Sequence, residues 1–403
     1  MTKKFPKFKI IVSILIVSFF VLIQQGLCAE EFSSWLEELR QEARTNGISE
    51  STLHEALDNL DPIPRVIELD RRQPEFTQTF WRYLDSRVTE KRIERGRTLL
   101  KKHKGLFDTI ERRYGVQPRF LVAFWGLETN FGDYLGSFSV IGSLATLAHD
   151  PRRSDFFRSE LLAALSIIDD GHISAANMLG SWAGAMGQPQ FMPSTFVRYA
   201  VDGDSDGRQD IWHTLPDVFA SAANFLSESG WQGDKTWGRE VKIPSDFNLE
   251  LTGKKVKKTL AAWQNLGVRK ITDQDLPKVD IEASLILPAG HAGPAFLVYN
   301  NFHTILRWNR SDFYAIAVGY LADRIIGRRP LLSFRPASEQ PLSRNQVEKI
   351  QELLIARGYD PGGIDGVIGS QTRLAIKEFQ RTAKLPADGH PSAELLEILG
   401  KNE

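Results

Sequence analysis

Apolar residues recur at helical spacing along most of the chain. Phe32, Trp35, Leu36 and Leu39 lie three or four positions apart, and Ser49 and Ser51 stand as caps before Leu53 and Leu57. Residues 31–59 therefore read as two short amphipathic helices. A long helix is predicted from about Val88 to His103. Pro118, suited to a first helical turn, opens another, whose apolar run Phe120-Leu121-Val122-Ala123-Phe124-Trp125 carries straight into Gly126-Leu127-Glu128. Helical patterning continues to about Gly230, and a last helix of the main body is expected from about Asp312 to Ile326. Residues 235–290 break the pattern. Short alternating runs, Trp237 to Ile243 and Val279 to Leu287, predict a small mixed α/β insert. Its lysines 254, 255, 257 and 258 read first as a solvated face. Residues 334–341 have the composition of a linker, and 342–403 form a separate unit. No long-period repeat is present.

The first 29 residues stand apart. Lys3, Lys4, Lys7 and Lys9 precede an apolar run from Ile10 to Ile23, and Gly26-Leu27-Cys28-Ala29 follows. That order describes a secretory signal peptide cut after Ala29, since the run is shorter than the ~20 residues of a membrane span. The expected product is periplasmic. Cys28, the only cysteine, would serve an outer-membrane lipoprotein, but Leu27 before it is bulkier than such processing favours. The 403 residues are 42% hydrophobic and 25% charged, as in ordinary soluble proteins. Without residues 1–29 the chain has 46 basic and 50 acidic residues, a net charge of −4. A mildly acidic protein does not hold nucleic acid by bulk charge.

Glu128 is the candidate for chemistry. A carboxylic acid that works near neutral pH needs its proton retained, and burial among apolar groups does that. Phe124, Trp125 and Phe131 lie within one helical turn of Glu128, so they are expected to surround the carboxyl group, with Asn130-Phe131-Gly132 ending the helix. The alternative is a glutamate that caps a helix or pairs with arginine. A second segment, Gly180 to Ser194, gathers small residues, two amides and apolar groups without period. Its glycines and alanines would let a ligand approach the backbone, and Ser181 and Gln190 could bond sugar hydroxyl and acetamido groups. Ordinary close packing would read the same way.

Together these segments resemble the family of membrane-bound lytic murein transglycosylase B and its soluble relatives. The likeness rests on Trp125 through Gly132, Pro151-Arg152-Arg153, Gly180 through Ser194, Tyr199-Ala200-Val201-Asp202, and Asn301-Phe302 through Arg307-Trp308-Asn309. The resemblance implies a mainly α, lysozyme-like catalytic domain over residues 30–333. It also implies cleavage of the β-1,4 bond between N-acetylmuramic acid and N-acetylglucosamine, with formation of a 1,6-anhydromuramyl end. One glutamate would act as acid and then as base, so no second carboxylate is needed; Asp133 lies beyond the helix end. By position in the family pattern Glu128 is catalytic, Ser181 and Gln190 contact substrate, Asn224 lines the cleft, and Tyr83 and Tyr314 are cleft aromatics. Phe225 stands where relatives can carry tyrosine.

Asp202-Gly203-Asp204-Ser205-Asp206-Gly207 has the alternating oxygens and sixth-position glycine that open a calcium loop. His213 occupies the usual closing position, and Asp217 matches the later aspartate of some relatives. A structural Ca²⁺ is expected on Asp202, Asp204, Asp206, the Arg208 carbonyl and Asp217; the chemistry requires no cofactor. Zinc is excluded for want of clustered His and Cys. Residues 342–403 resemble a three-helix peptidoglycan-binding domain, with Leu353, Leu374, Ile376 and Phe379 as core and Asp365-Gly366 in its turn. The expected partner is the peptidoglycan glycan strand, acted on by a monomer; cell-wall synthesis or division proteins are further candidates. A hydrolytic muramidase and a non-catalytic wall-binding scaffold remain as alternatives.

Overall fold

The computed structural model describes residues 31–71, 78–335 and 340–401. The expected signal peptide and Cys28 lie outside the described residues, as does half of the linker, 336–339. Helices dominate, and the described residues group into two units. One is built from 31–71 and Tyr134–Val218, the other from 78–133 and everything from Phe219 onward.

In the first unit, a helix over 31–45 is followed by Glu50–Leu57, capped by Ser49, whose hydroxyl accepts from Thr52 N–H. Val140–His149 is apolar nearly throughout and almost wholly buried, and it packs along Ser154–Asp169. A helix apolar on all sides must be covered on all sides. Buried Asp70 takes charge-assisted hydrogen bonds from both Arg152 and Arg153, fixing the turn between these helices. Buried Glu160 accepts from the backbone N–H of Ser194 at 2.9 Å and its hydroxyl at 2.6 Å, tying the start of Pro193–Tyr199.

In the second unit the predicted long helix begins at Glu90, not Val88, because Thr89 caps it by accepting from Arg92 N–H. Pro118–Thr129 lies against Asp312–Ile325 and Glu90–Lys102. The mixed insert is an antiparallel five-stranded sheet in the order Lys258–Thr259, Glu282–Ile286, Ala295–Val298, Gly238–Lys242, Arg269–Lys270. Its middle strand falls beyond residue 290, so the expected boundary was too short. Ala295–Val298 is buried on both faces and is apolar without alternation, which hides a strand from a period-two reading. Trp263, fully buried from the helix Leu260–Asn265, donates its indole N–H to the Ala283 carbonyl at 2.9 Å.

The C-terminal helices Arg344–Ala356, Ser370–Thr382 and Ala393–Lys401 enclose their own core. Leu353, Ile376 and Phe379 are in it, but Leu374 is 56% exposed, one position off the buried face of its helix. Buried Gln351 holds the turn at both amide atoms, donating to Asp365 Oδ1 at 2.8 Å and accepting from the Asp365 and Gly366 N–H groups. These helices are also joined to the insert. Arg381 and Lys377 pair with Glu250, and His291 contacts Asp388 at 2.8 Å.

Candidate active site

Pro118 sits at the start of its helix, where its missing N–H costs nothing, and the apolar run behind it buries Phe120 through Gly126. The helix ends with three successive left-handed residues, Asn130, Phe131 and Gly132, at φ 52°, 64° and 81°. The N–H groups of Asn130 and Phe131 both return to the Trp125 carbonyl. Phe131 then folds back over Gly126, where a Cβ would stand 2.7 Å from its ring. Glu128 is left one residue from the helix end, half-buried.

Two side chains from elsewhere in this unit converge on Glu128 Oε1. The Trp308 indole N–H, at the end of the helix Asn300–Trp308, donates at 3.0 Å. The Tyr314 hydroxyl, from the first turn of Asp312–Ile325, donates as well. Ser311 caps that turn by accepting from Tyr314 N–H. Phe124 packs on Trp308 with ring centres 4.5 Å apart and on Tyr314 at 6.3 Å, and Phe225 meets Trp308 edge-on at 5.0 Å. Burial and then the Glu128 carboxylate push the Tyr314 phenol well above its usual range, so it remains a donor.

Of the expected aromatic surround, Phe124 packs on both donors; Trp125 and Phe131 pair edge-to-face with each other at 5.6 Å, and Trp125 also packs on Phe219. Tyr83 lies against Phe313, the neighbour of Tyr314, with ring centres 5.8 Å apart. Asn224 is half-buried beside Phe225 on Leu215–Glu228. Asp133 is tied up: Arg95 grips both of its oxygens, and Asn130 donates to it at 2.8 Å. Trp308 belongs to the family pattern, and no local signal marks it as a partner of a residue 180 positions away.

Ser181 and Gln190 lie in the first unit, in a loop that folds on itself. Ser181 Oγ accepts from the N–H groups of Ala183 and Ala185, at 3.3 and 3.0 Å, so its remaining capacity is chiefly as a donor. Gln190, at φ 51°, donates its amide to the carbonyls of Leu135 and Gly187, which leaves its oxygen as acceptor. The small residues here serve close packing of protein on protein. A Cβ on Gly180 would stand 2.2 Å from the Ala185 carbonyl oxygen.

Residues 31–323 match the transglycosylase SLT domain, and residues 343–399 match a peptidoglycan binding domain. The chain belongs to the transglycosylase SLT domain family. It is 29% identical over 296 residues to membrane-bound lytic murein transglycosylase B of Escherichia coli, covering 70% of this chain and 79% of that protein. The crystal structure of SltB3 from Pseudomonas aeruginosa in complex with NAG-anhNAM-pentapeptide matches at TM-score 0.88 and 44% identity, over 92% of this chain and 99% of that one. The Escherichia coli lytic transglycosylase Slt35 in complex with calcium matches at TM-score 0.63 and 27% identity, over 73% and 92%. The chain is thus a peptidoglycan lytic transglycosylase, cleaving the β-1,4 bond between N-acetylmuramic acid and N-acetylglucosamine with formation of 1,6-anhydromuramyl ends.

In this transglycosylase the acidic loop after Tyr199 brings three carboxylates together. Carboxylate oxygens of Asp202, Asp204 and Asp217 lie within 4.8 Å of one another. Asp217 is wholly buried and accepts from Gly203 N–H and Asp210 N–H, both at 2.7 Å, one on each oxygen. Burial raises its pKa, and Asp204 and Asp202 add to that. Asp206 is outside the cluster: its carboxylate turns back to accept from Arg208 N–H at 2.8 Å. The Arg208 side chain donates to the His172 carbonyl, and His213 pairs with Asp210 at 3.3 Å.

Proposed function

We propose that Glu128 alone carries the proton transfers of this reaction. The observation that supports it is the convergence of Tyr314 and Trp308 on one carboxylate oxygen, Oε1. With Oε1 fixed by two donors, the acidic proton belongs on Oε2. It passes to the glycosidic oxygen as the bond to C1 breaks. The resulting carboxylate is stabilised by the same two donors, and then takes the proton of the muramyl C6 hydroxyl as that oxygen closes on C1. Bonds and protons balance, and no water is consumed. Tyr314 and Trp308 are positioning residues: they act on the glutamate, not on the sugar.

Ser181 would donate to a substrate oxygen, and the Gln190 amide oxygen would accept from a sugar hydroxyl or acetamido N–H. Asn224 and Tyr83 would contribute further contacts. The Asp202, Asp204 and Asp217 oxygens fit a Ca²⁺ ion, since two ligands at 2.3–2.6 Å on opposite sides stand about 5 Å apart. The ion would tie the loop after Tyr199, with the Arg208 carbonyl as a further ligand and no part in the chemistry. The basic start, the short apolar run and Ala29 support export to the periplasm. Among the described residues no helix is long and apolar enough to cross a membrane.

Digestion of purified sacculi in H₂¹⁸O tests the chemistry. Products of elimination carry no label and are lighter by one water than the hydrolysed ends. Labelled reducing muramyl ends would overturn it.

A further inference from the structure

A cavity of about 290 Å³ opens where the insert sheet meets the start of the helix Asn300–Trp308, close to the smallest volumes of ligand pockets. Its floor is the rung at which Ser284 pairs with Val298. One wall carries Gln232 and Lys235, and buried Asn301 clamps it: Oδ1 accepts from Gln232 N–H at 2.8 Å, and Nδ2 donates to the carbonyls of Gln232 and Lys235. Asn300, His303, Lys257, Asp280 and Glu282 also line it.

The cavity brings charges of both signs together at exposed positions. Lys235 pairs with Asp234. Among the described residues, Lys257, Asp280 and Glu282 form no ion pair and no side-chain hydrogen bond. One cavity thus holds an uncommitted cation and two uncommitted carboxylates. A purely anionic ligand meets the two acids, a purely cationic one meets the lysines, and a ligand with both signs on neighbouring atoms satisfies all of them.

The cavity also shares a helix with Trp308. Asn300 and Trp308 are the two ends of one helix, about 12 Å apart at 1.5 Å per residue. Trp308 holds Glu128. A three-residue peptide, extended, spans about 10 Å. Peptidoglycan carries its stem peptide on the muramyl unit, where the reading above places the action of Glu128, and the inference rests on that reading. We propose that this cavity takes the free end of a diamino-dicarboxylic acid at the third stem position. Its carboxylate would face Lys257 and Lys235, and its ammonium Asp280 and Glu282. Crosslinking acylates that ammonium and removes its charge, so the cavity favours uncrosslinked strands.

The test is calorimetric titration of the full chain with the tripeptide L-Ala-γ-D-Glu-meso-diaminopimelate, beside its ε-N-acetyl form and the lysine analogue. The free tripeptide is expected to bind, with the other two about three- to tenfold weaker. Lys257→Ala and Glu282→Gln, both at exposed positions, should each weaken the free tripeptide by a similar factor and keep the wild-type melting temperature. Equal binding of the three peptides, no binding of the first, or variants that bind like wild type would overturn the proposal. Titration needs no turnover, so a failure of Glu128 to form anhydro ends would leave this result readable on its own.

Discussion

Replacing Tyr314 by phenylalanine removes one oxygen atom and leaves the ring against Phe124. The residue is only 6% exposed, so water does not readily replace the lost donor. A hydrogen bond to a charged acceptor contributes about 1.5–3 kcal/mol. In the proposed mechanism the acceptor gains its charge on the way to the transition state, so most of that loss falls on kcat. At 1.36 kcal/mol per decade, kcat should drop roughly 10- to 150-fold. Trp308→Phe keeps a ring against Phe124 and Phe225 and loses only the N–H, and should act in the same way. Both donors serve one oxygen, so the double variant should fall short of the product of the two losses. Initial rates of anhydromuramyl-end release from sacculi give kcat and KM, and thermal melting checks the fold. A folded Tyr314→Phe protein with kcat within about threefold of wild type would refute the reasoning, as would a change confined to KM.

Ca²⁺ should raise the melting temperature of wild type and EDTA should reverse it, with about 2.7 kcal/mol gained at a hundred times the dissociation constant; Asp217→Asn should abolish the response. His390 is half-buried in the C-terminal unit with its Nδ1 atom enclosed, and desolvation lowers its pKa to about 4. Its ordinary value is near 6.5, so the unfolded chain binds a proton before the folded one does. Stability should therefore be complete above about pH 6.5 and be lost as pH falls toward 4, by on the order of 3 kcal/mol; urea melts of the full chain should show a flatter profile for His390→Gln. Ile376→Ala should cost about 2–5 kcal/mol by opening a cavity, whereas Leu374→Ala, at an exposed position, should stay within about 0.5 kcal/mol.

What the sequence reveals follows how local each feature is. The helix Pro118–Thr129 and its left-handed end were legible because Pro118, the apolar run and Asn130-Phe131-Gly132 are neighbours. Tyr314 could be named only by family pattern, and its bond to Glu128 spans 186 positions. Trp308 had no role assigned for the same reason. The strand Ala295–Val298 escaped because burial on both faces erases the alternation that marks a strand. Asp206 was drawn into the metal set by its spacing, which does not show that the clustered carboxylates are those of Asp202, Asp204 and Asp217. Leu374 was misjudged because the consecutive apolar residues Leu374, Ala375 and Ile376 leave the phase of the helix open until its neighbours are known.

The central claim is that Glu128 supplies both proton transfers. Glu128→Gln keeps the size and shape of the side chain and can still accept from Tyr314 and Trp308, but it has no acidic proton to give. The most direct measurement is the rate of anhydromuramyl-end formation from purified sacculi by this variant, with binding followed by co-sedimentation. A loss of one proton-transfer group costs about 10²- to 10⁴-fold, and here one group serves twice. Turnover is expected to fall below about a thousandth of wild type with sacculus binding retained. Digestion by folded Glu128→Gln protein at a rate near wild type would contradict it.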